Sequence, residues 1–311
     1  MSITALVTGG AGFIGSNLCK RLLELDYKVI CLDNLLTGSM NNIKSLENNP
    51  NFYFKNADII DLIDIPHVDI IFHMACAASP PKYQKDPVHT IKTSTIGTLN
   101  VLELARKHSA KILYASTSEI YGDPLEHPQK ETYWGNVNTV GVRSCYDEGK
   151  RIGETMCYEF RKQYGVDTKI VRIFNTYGLN MDLEDGRVVT NFIKSIAENK
   201  PLSIFGDGSQ TRCFCYVDDL IEGLLKMMNS SESGPINLGN PDNEMTIKKL
   251  VNIFEDILNR KLEVEYVELP GDDPKQRRPD ISVAKKQLCW EPRISEYDGI
   301  KKTLEYFNVY K

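Results

Sequence analysis

Hydrophobic positions change their period repeatedly along the chain, and the changes outline strands alternating with helices. Ile3-Thr4-Ala5-Leu6-Val7-Thr8 is a short apolar run that predicts a buried strand. Just beyond it Ile14, Leu18, Leu22 and Leu25 share one face of a helix. Lys28-Val29-Ile30-Cys31-Leu32 predicts a second strand, ending at Asp33. Phe52-Tyr53-Phe54 predicts a short strand leading to Asp58 and Ile59, and Val68-Asp69-Ile70-Ile71-Phe72 another that ends at His73-Met74-Ala75. These runs do not alternate, as expected of parallel strands covered on both faces. A long amphipathic helix is predicted from about Val88 to His108, with Ile91, Ile96, Leu99, Leu102 and Ala105 apolar. Lys111-Ile112-Leu113-Tyr114-Ala115 and Lys169-Ile170-Val171-Arg172-Ile173 predict two more strands, separated by a Pro-rich loop at 122–138 and a helix carrying Tyr146 and Lys150. Alternation of this kind argues for an α/β chain built on a doubly wound parallel (Rossmann) sheet.

From Asn175 the pattern loosens into a helix near 188–199 and the polar string Phe205-Gly206-Asp207-Gly208-Ser209-Gln210-Thr211-Arg212, while helix and strand return at 217–238. The expected organisation is a Rossmann domain formed by 1–174 and about 213–240, with a smaller interleaved α/β substrate lobe formed by about 175–212 and 241–311. Turn clusters at Asn240-Pro241-Asp242 and at Pro270-Gly271-Asp272-Asp273-Pro274 punctuate the remainder.

Between the first strand and the first helix lies Gly9-Gly10-Ala11-Gly12-Phe13-Ile14-Gly15. Strand, glycine loop, helix, second strand and a terminal acid together form a specific dinucleotide signal, whereas the glycines alone would mark only a turn. Gly9, Gly12 and Gly15 let the backbone approach a pyrophosphate at the helix N-terminus that Phe13 and Ile14 open. Asp33 stands where a carboxylate accepts from the adenosine ribose and repels a 2′-phosphate, which favours NAD over NADP. The aperiodic stretch 34–50, with Asn34, Thr37 and Gly38, is expected to be a surface loop beside the adenosine. Asp58, Ile59 and Ala75 follow strand ends and so face the same crevice. His73, a lone histidine at a strand end, reads as a packing residue.

Tyr146 and Lys150 lie four residues apart and so share one helix face. Such a pair on a solvated face is usually silent. Beside a dinucleotide loop, a lysine charge favours the phenolate of a tyrosine whose free pKa is ~10, making Tyr146 a candidate proton shuttle. Ser116-Thr117-Ser118-Glu119 follows a predicted strand directly and arrives at the same edge.

Composition narrows the partners. The chain has 311 residues, 41% of them hydrophobic and 25% charged, and no apolar run approaches a membrane span. Acidic residues outnumber basic ones 42 to 37 and the basic ones are scattered, which leaves a small molecule rather than nucleic acid as the expected partner. The opening residues run straight into a strand without a leader signature, so a cytoplasmic address is expected. Eight cysteines lack a framework spacing and read as reduced. Cys213-x-Cys215 has no second pair at finger-like spacing, so no metal is expected.

Thr8 to Gly15, the Tyr146/Lys150 pair and Arg172-Ile173-Phe174-Asn175-Thr176-Tyr177-Gly178, in that order, resemble the extended short-chain dehydrogenase/reductases that act on nucleotide sugars. Glu131-Thr132-Tyr133-Trp134-Gly135-Asn136-Val137-Asn138, Ser144 to Lys150, and Phe205 to Arg212 narrow the resemblance to the UDP-glucuronate decarboxylases, over nearly the whole chain. The resemblance implies NAD, used catalytically, and UDP-glucuronate, converted to UDP-xylose through a 4-keto sugar whose β-carboxylate leaves as carbon dioxide. By it, Tyr146, Lys150, Thr117, Ser118, Glu119 and Arg277 are catalytic, with Glu119 left to protons or water. Arg277 meets the substrate carboxylate, although adjacent Arg278 leaves the register open. Thr93, Tyr146 and Lys150 touch NAD. Lys92, Asn100, Asn175, Arg187, Gln210, Arg212 and Arg277 contact the substrate. Helices 88–108 and 145–164 pair with their copies in a four-helix homodimer.

Ser118 replaces the aspartate of related 4,6-dehydratases. An aspartate there would repel the substrate carboxylate by roughly 1 to 4 kcal/mol at about 4 Å. Ala77, Ser94, Val142 and Ser39-Met40 depart from the family pattern without removing a group the chemistry needs. The alternatives are a 4-epimerase, a 4,6-dehydratase, a branched-sugar synthase and a non-catalytic NAD-binding module.

Overall fold

A computed structural model describes residues 2–268 and 276–310. The turn cluster at Pro270 to Pro274 lies outside them. The strand runs fold as β1 (Thr4–Thr8), β2 (Lys28–Asp33), β3 (Phe52–Asn56), β4 (Ile70–His73), β5 (Lys111–Thr117) and β6 (Thr168–Ile173). With Ile236–Leu238 they form a seven-stranded sheet in the order β3-β2-β1-β4-β5-β6-(Ile236–Leu238). Every pairing in it is parallel. The order reverses between β1 and β4, which is where a doubly wound sheet opens its ligand crevice.

Successive strand residues enter opposite layers, as a period of two requires. Ala5, Val7, Val29, Cys31, Phe72, Leu113 and Val171 pack on the side covered by Leu18 and Leu22 and by Leu220 and Leu224 of the helix Val217–Asn229. Leu6, Ile30, Leu32, Ile71, Ile112 and Ile170 pack on the other side, under Val101, Leu102, Ala105, Cys157 and Phe160. Both faces are thus dry, and this is why the runs read as continuous apolar stretches.

Two expected elements differ in form. The helix expected at Val88–His108 begins at Pro87, where Asp86 accepts from the His89 amide at 2.9 Å, and breaks into Pro87–Lys92, a π turn at Thr93–Gly97 and Thr98–His108. Thr93 and Thr95 turn their hydroxyls back onto the carbonyls of His89 (2.9 Å) and Ile91 (2.7 Å), competing with the backbone ladder next to Gly97. The stretch 34–50 is not wholly a surface loop. Ser39 caps a short helix at Met40–Ile43, a 3-10 turn follows at Lys44–Leu46, and Ile43 and Leu46 enter the core. Two buried apolar residues three apart anchor the segment but are too few to show a period.

Beyond residue 175 the chain builds small sheets at the crevice. Leu202–Phe205 pairs in parallel with Val264–Val267. Thr211–Cys213 is flanked by Glu244–Thr246, antiparallel, and Gln276–Arg277, parallel. The helices Val188–Ala197 and Ile247–Leu258 meet through Phe192 and Phe254, edge to face with centroids 5.7 Å apart. Their apolar residues join the core layer on the Val217–Asn229 side of the main sheet.

Phe254 has no exposed surface. Phe254→Ala is expected to cost about 3 to 5 kcal/mol in urea unfolding, through lost burial plus a cavity. A loss below about 1 kcal/mol would mean that the two helices do not share that core.

Candidate active site

The carboxyl ends of the central strands and the small sheets enclose a cleft of about 990 Å³. Its floor is the glycine loop. Gly9 has φ +70°, and a Cβ there would lie 2.8 Å from the Ala75 backbone; on Gly15 it would lie 2.1 Å from the Gly9 carbonyl oxygen. The helix Phe13–Glu24 starts on this loop with no side-chain cap and no acid in its first turn, leaving its N-terminal amides to an anion. Asp33 accepts from the amides of Ala11 (3.0 Å) and Leu35 (2.7 Å), and Gly38 packs against its carboxylate. Burial raises the Asp33 carboxyl, with those amides opposing. Asp58 accepts from Asn34 Nδ2 (2.7 Å), His89 Nε2 (2.9 Å) and the Ile60 amide (3.0 Å). Burial alone would raise Asp58, but these bonds hold it below the usual carboxylate range. A cradle that no side chain could enter, an uncapped helix and a carboxylate at the end of β2 fit a dinucleotide.

Tyr146 stands in the first turn of the helix Ser144–Tyr164, buried and stacked on Tyr83 with centroids 5.0 Å apart and planes 1° from parallel. It is hydrogen-bonded to Thr117. One turn on, Lys150 Nζ donates to the Ala115 carbonyl at 2.7 Å and lies 5.9 Å from the Tyr146 ring centre. Burial raises the Tyr146 phenol well above its ordinary value and lowers Lys150. Desolvation of the phenolate thus opposes the lysine charge, which favours it.

Thr117 caps the 3-10 turn Ser118–Tyr121, its hydroxyl accepting from the Glu119 amide at 3.2 Å. This turn aims Glu119 between two guanidinium groups: Arg143, in an ion pair, and Arg277, at 3.3 Å. Arg277, only 2% exposed, also donates to the Ser118 carbonyl. Burial would raise Glu119, but Arg277, Arg143 and Arg212 hold it below the usual range, so it stays ionised. The open register resolves: Arg277 lines the cleft, whereas Arg278 reaches Glu244 at 3.6 Å.

Phe13, Ile14, Asn34, Thr37, Ile59, Ala75, Thr93, Ser118, Asn175, Arg187, Gln210 and Arg212 all line the cleft. Two expected substrate residues do not. Lys92 is exposed outside it, since successive helical residues point in different directions and its neighbour Thr93 takes the inward position. Asn100 is also outside, and its amide donates to the carbonyls of Ile59 (2.9 Å), Ile60 (3.1 Å) and Asp61 (3.1 Å), clamping the turn after Asp58. His73 sits between the hydroxyls of Thr8 (2.7 Å) and Thr98 (3.1 Å), pushed down to about 3 by burial and by Lys150. It has the packing role expected of it.

Sequence reasoning missed Arg143, His89 and Asp147. Arg143, three residues before Tyr146, enters the cleft from the helix start, and that spacing was the available signal. Asp147 is buried with Oδ1 unpartnered. Burial and then Glu119 push its carboxyl up to about 7, against Arg143 and Arg277.

Residues 5–239 match the NAD dependent epimerase/dehydratase family, and the chain belongs to that family. UDP-glucuronic acid decarboxylase 1 of Arabidopsis thaliana is 49% identical over 302 residues, 97% of this chain and 69% of that protein. UDP-glucuronic acid decarboxylase 1 of Danio rerio is 48% identical over 303 residues, 97% of this chain and 72% of that one. Among solved structures, UDP-glucuronic acid 4-epimerase of Bacillus cereus, in complex with UDP-glucuronic acid and NAD, aligns with a TM-score of 0.89 at 30% identity, covering 98% of this chain and 99% of that chain.

Asp147 yields a pH prediction. Its folded pKa lies above the ordinary aspartate value, so between about pH 4 and 7 the folded state keeps a proton that the unfolded state releases, and stability falls as pH rises through that window. Asp147→Asn should remove this fall and gain on the wild type by up to about 4 kcal/mol towards neutral pH. Urea titrations at both ends of the window test it; a pH-independent difference between the two proteins would defeat the assignment.

Proposed function

We propose that the chain decarboxylates UDP-glucuronate to UDP-xylose, using NAD catalytically. The observation that carries this reading is the buried Arg277 in the cleft beside Ser118 and Glu119, at the site where Tyr146 and Thr117 meet. A planar guanidinium suits a carboxylate bidentately. The relatives at 48% and 49% identity, named UDP-glucuronic acid decarboxylases, support it.

In this reading Gly9, Gly12, Phe13, Ile14 and Gly15 hold the pyrophosphate of NAD, while Asp33, Asn34, Thr37 and Gly38 hold the adenosine ribose. Asp58 and Ile59 would lie beside the adenosine, and Ala75, Thr93, Tyr146 and Lys150 would complete the NAD site. When bound, NAD supplies a hydride acceptor that is restored within one turnover. Tyr146 would take the proton of the sugar 4-hydroxyl as its phenolate; burial alone opposes that form, and the positive charges of Lys150, fixed on the Ala115 carbonyl, and of the oxidised nicotinamide beside it would favour it. Arg277 orients the sugar carboxylate, and neutral Ser118 avoids repelling it. Once position 4 is a ketone, the bond from the ring to the carboxyl carbon breaks, carbon dioxide leaves, and its electron pair forms an enolate. Tyr146 and Thr117 donate to the enolate oxygen. A proton from water would add to the ring carbon, and return of the hydride to position 4, with the proton held on Tyr146 going to its oxygen, would complete the turnover. Asn175 and Arg187 would contact the substrate, and Gln210 and Arg212 its uridine diphosphate.

Three further points belong to the same proposal. The chain would work as a Rossmann unit of 1–174 with about 213–240, and a substrate lobe of about 175–212 with 241–311. It would form a homodimer through a four-helix bundle, supported by Val88, Ile91, Ile96, Leu99, Ile152 and Tyr158, which are 41–60% exposed on the two long helical segments. A reducing, cytoplasmic address is supported by eight free thiols, of which Cys19 and Cys31 touch without bonding covalently. Among the described residues, no helix is long and apolar enough to cross a membrane.

Incubation with UDP-glucuronate and catalytic NAD should yield UDP-xylose and carbon dioxide without net NADH, read by mass and proton NMR. Tyr146→Phe should lower turnover by about 10² to 10⁴ while NAD binding survives. Undiminished turnover in that variant would remove Tyr146 from the chemistry. For the dimer, Ile96→Arg with Leu99→Arg should halve the mass measured by light scattering; an unchanged mass would place the interface elsewhere.

A further inference from the structure

Arg277 reaches the cleft from a two-residue strand, Gln276–Arg277, and is followed by a second arginine. A slip of one residue would turn Arg277 out of the cleft and Arg278 into it, because side chains alternate along a strand. Sequence alone leaves that register degenerate. Pairing with Thr211 and Arg212 covers only two residues, too short a ladder to specify it.

A buried hydrogen-bond chain reaches this strand from the catalytic helix. Glu154 continues the row of Tyr146 and Lys150 by one more turn. Its carboxylate accepts from Ser116 Oγ and, bidentately, from Arg172 Nε at 3.0 Å and Nη2 at 2.8 Å. Arg172 Nη1 donates to the Tyr121 hydroxyl at 2.9 Å, and that hydroxyl donates to Asn237 Oδ1 at 2.8 Å. Asn237 Nδ2 donates to the carbonyls of Gln129 and Asp280, both at 3.0 Å. Gln129 Oε1 then accepts from the Arg278 amide at 2.9 Å. The Gln129 and Asp280 amides add backbone bonds to the carbonyls of Arg278 (2.9 Å) and Gln129 (2.8 Å). Tyr121, Gln129 and Asn237 have no exposed surface, so the bonds from Arg172 to Tyr121, Tyr121 to Asn237 and Asn237 to Gln129 are made where water cannot replace them, and the links at either end are part-buried.

We infer that Gln129 and Asn237, anchored through Tyr121 and Arg172 to Glu154, are positioning residues that set the register of Arg277 and thereby the recognition of the substrate carboxylate. They touch the backbone of residues 278 and 280, not the cleft. Their effect is specific to a ligand that carries a carboxylate on its sugar. The inference rests on the decarboxylase reading.

The test measures binding to NAD-loaded protein carrying Tyr146→Phe, which blocks turnover. Calorimetry compares UDP-glucuronate with UDP-xylose, the same nucleotide and ring without the carboxylate. Gln129→Met, which removes the acceptor, should weaken UDP-glucuronate about tenfold and leave UDP-xylose within about twofold. Gln129→Glu keeps the acceptor and, protonated in this buried position, also the donor to the Glu126 carbonyl, so it should retain most of the affinity. In an Arg277→Ala background, Gln129→Met should have no further effect on UDP-glucuronate. Equal weakening of both ligands, no weakening of either, or a Glu variant as poor as the Met variant would overturn the inference. Asn237→Leu serves if Gln129→Met does not fold; failure of both to fold would make the chain a folding element and overturn it too. A parent protein that shows no preference for UDP-glucuronate over UDP-xylose, and whose Tyr146-containing form releases no carbon dioxide, would instead refute the decarboxylase reading itself.

Discussion

Parallel strands must be joined by crossovers that return the chain to its starting edge, so all their carboxyl ends emerge on one side of the sheet. The site depends on this constraint. Gly9 follows β1, Asp33 closes β2, Asp58 follows β3, Ala75 follows β4, Thr117 closes β5 and Asn175 follows β6. Reversal of the strand order at β1 and β4 parts the crossovers and leaves the crevice open at that edge. Residues from position 9 to position 277 can then line one cleft, although most are far apart in sequence.

Within the cleft, removal from water sets protonation before any partner is considered. Burial moves Tyr146 away from ionisation and Lys150 towards neutrality. It also pushes upward the carboxyls of Glu119, in the cleft, and of Asp147, next to Tyr146 but not lining the cleft, yet their states diverge. Glu119 is bonded to Arg277 and Arg143 and stays ionised, whereas Asp147 has one oxygen without a partner and is pushed up to about 7. Geometry of the partners, not residue type, assigns the two states. A site prepared in this way keeps the Arg277 guanidinium, the ionised Glu119 and the Tyr146 phenol in one cleft.

Much of this was readable along the chain, for a physical reason. Strands dry on both faces give unbroken apolar runs, and the glycine loop, Asp33, Tyr146, Lys150 and Thr117 lie within single elements or at their ends, where spacing maps directly onto space. Reading failed where the apolar pattern carries no trace of the contact that decides the structure. The π turn at Thr93–Gly97 arises from hydroxyls bonding back to carbonyls, and the apolar pattern passes through it unchanged. Ile43 and Leu46 anchor a stretch too polar to show a period. Asn100 looked like a ligand contact because an amide on a helix offers the same groups to a sugar or to a backbone turn, and the turn after Asp58 occupies it.

The sequence by itself determined the sheet, the dinucleotide loop and the presence of a tyrosine–lysine pair, because each is local and governed by periods of two or 3.6 residues. Only the tertiary structure decided which of Arg277 and Arg278 enters the cleft, that Arg143 joins Arg277 on Glu119, and that Lys92 and Asn100 stay outside. Those outcomes depend on contacts between segments distant in sequence, from Arg143 with Glu119 and Asn100 with the turn after Asp58 to Arg278 with Gln129 and Arg277 with Ser118. The strength of such bonds comes from the exclusion of water, which no stretch of sequence can show before the chain has closed around them.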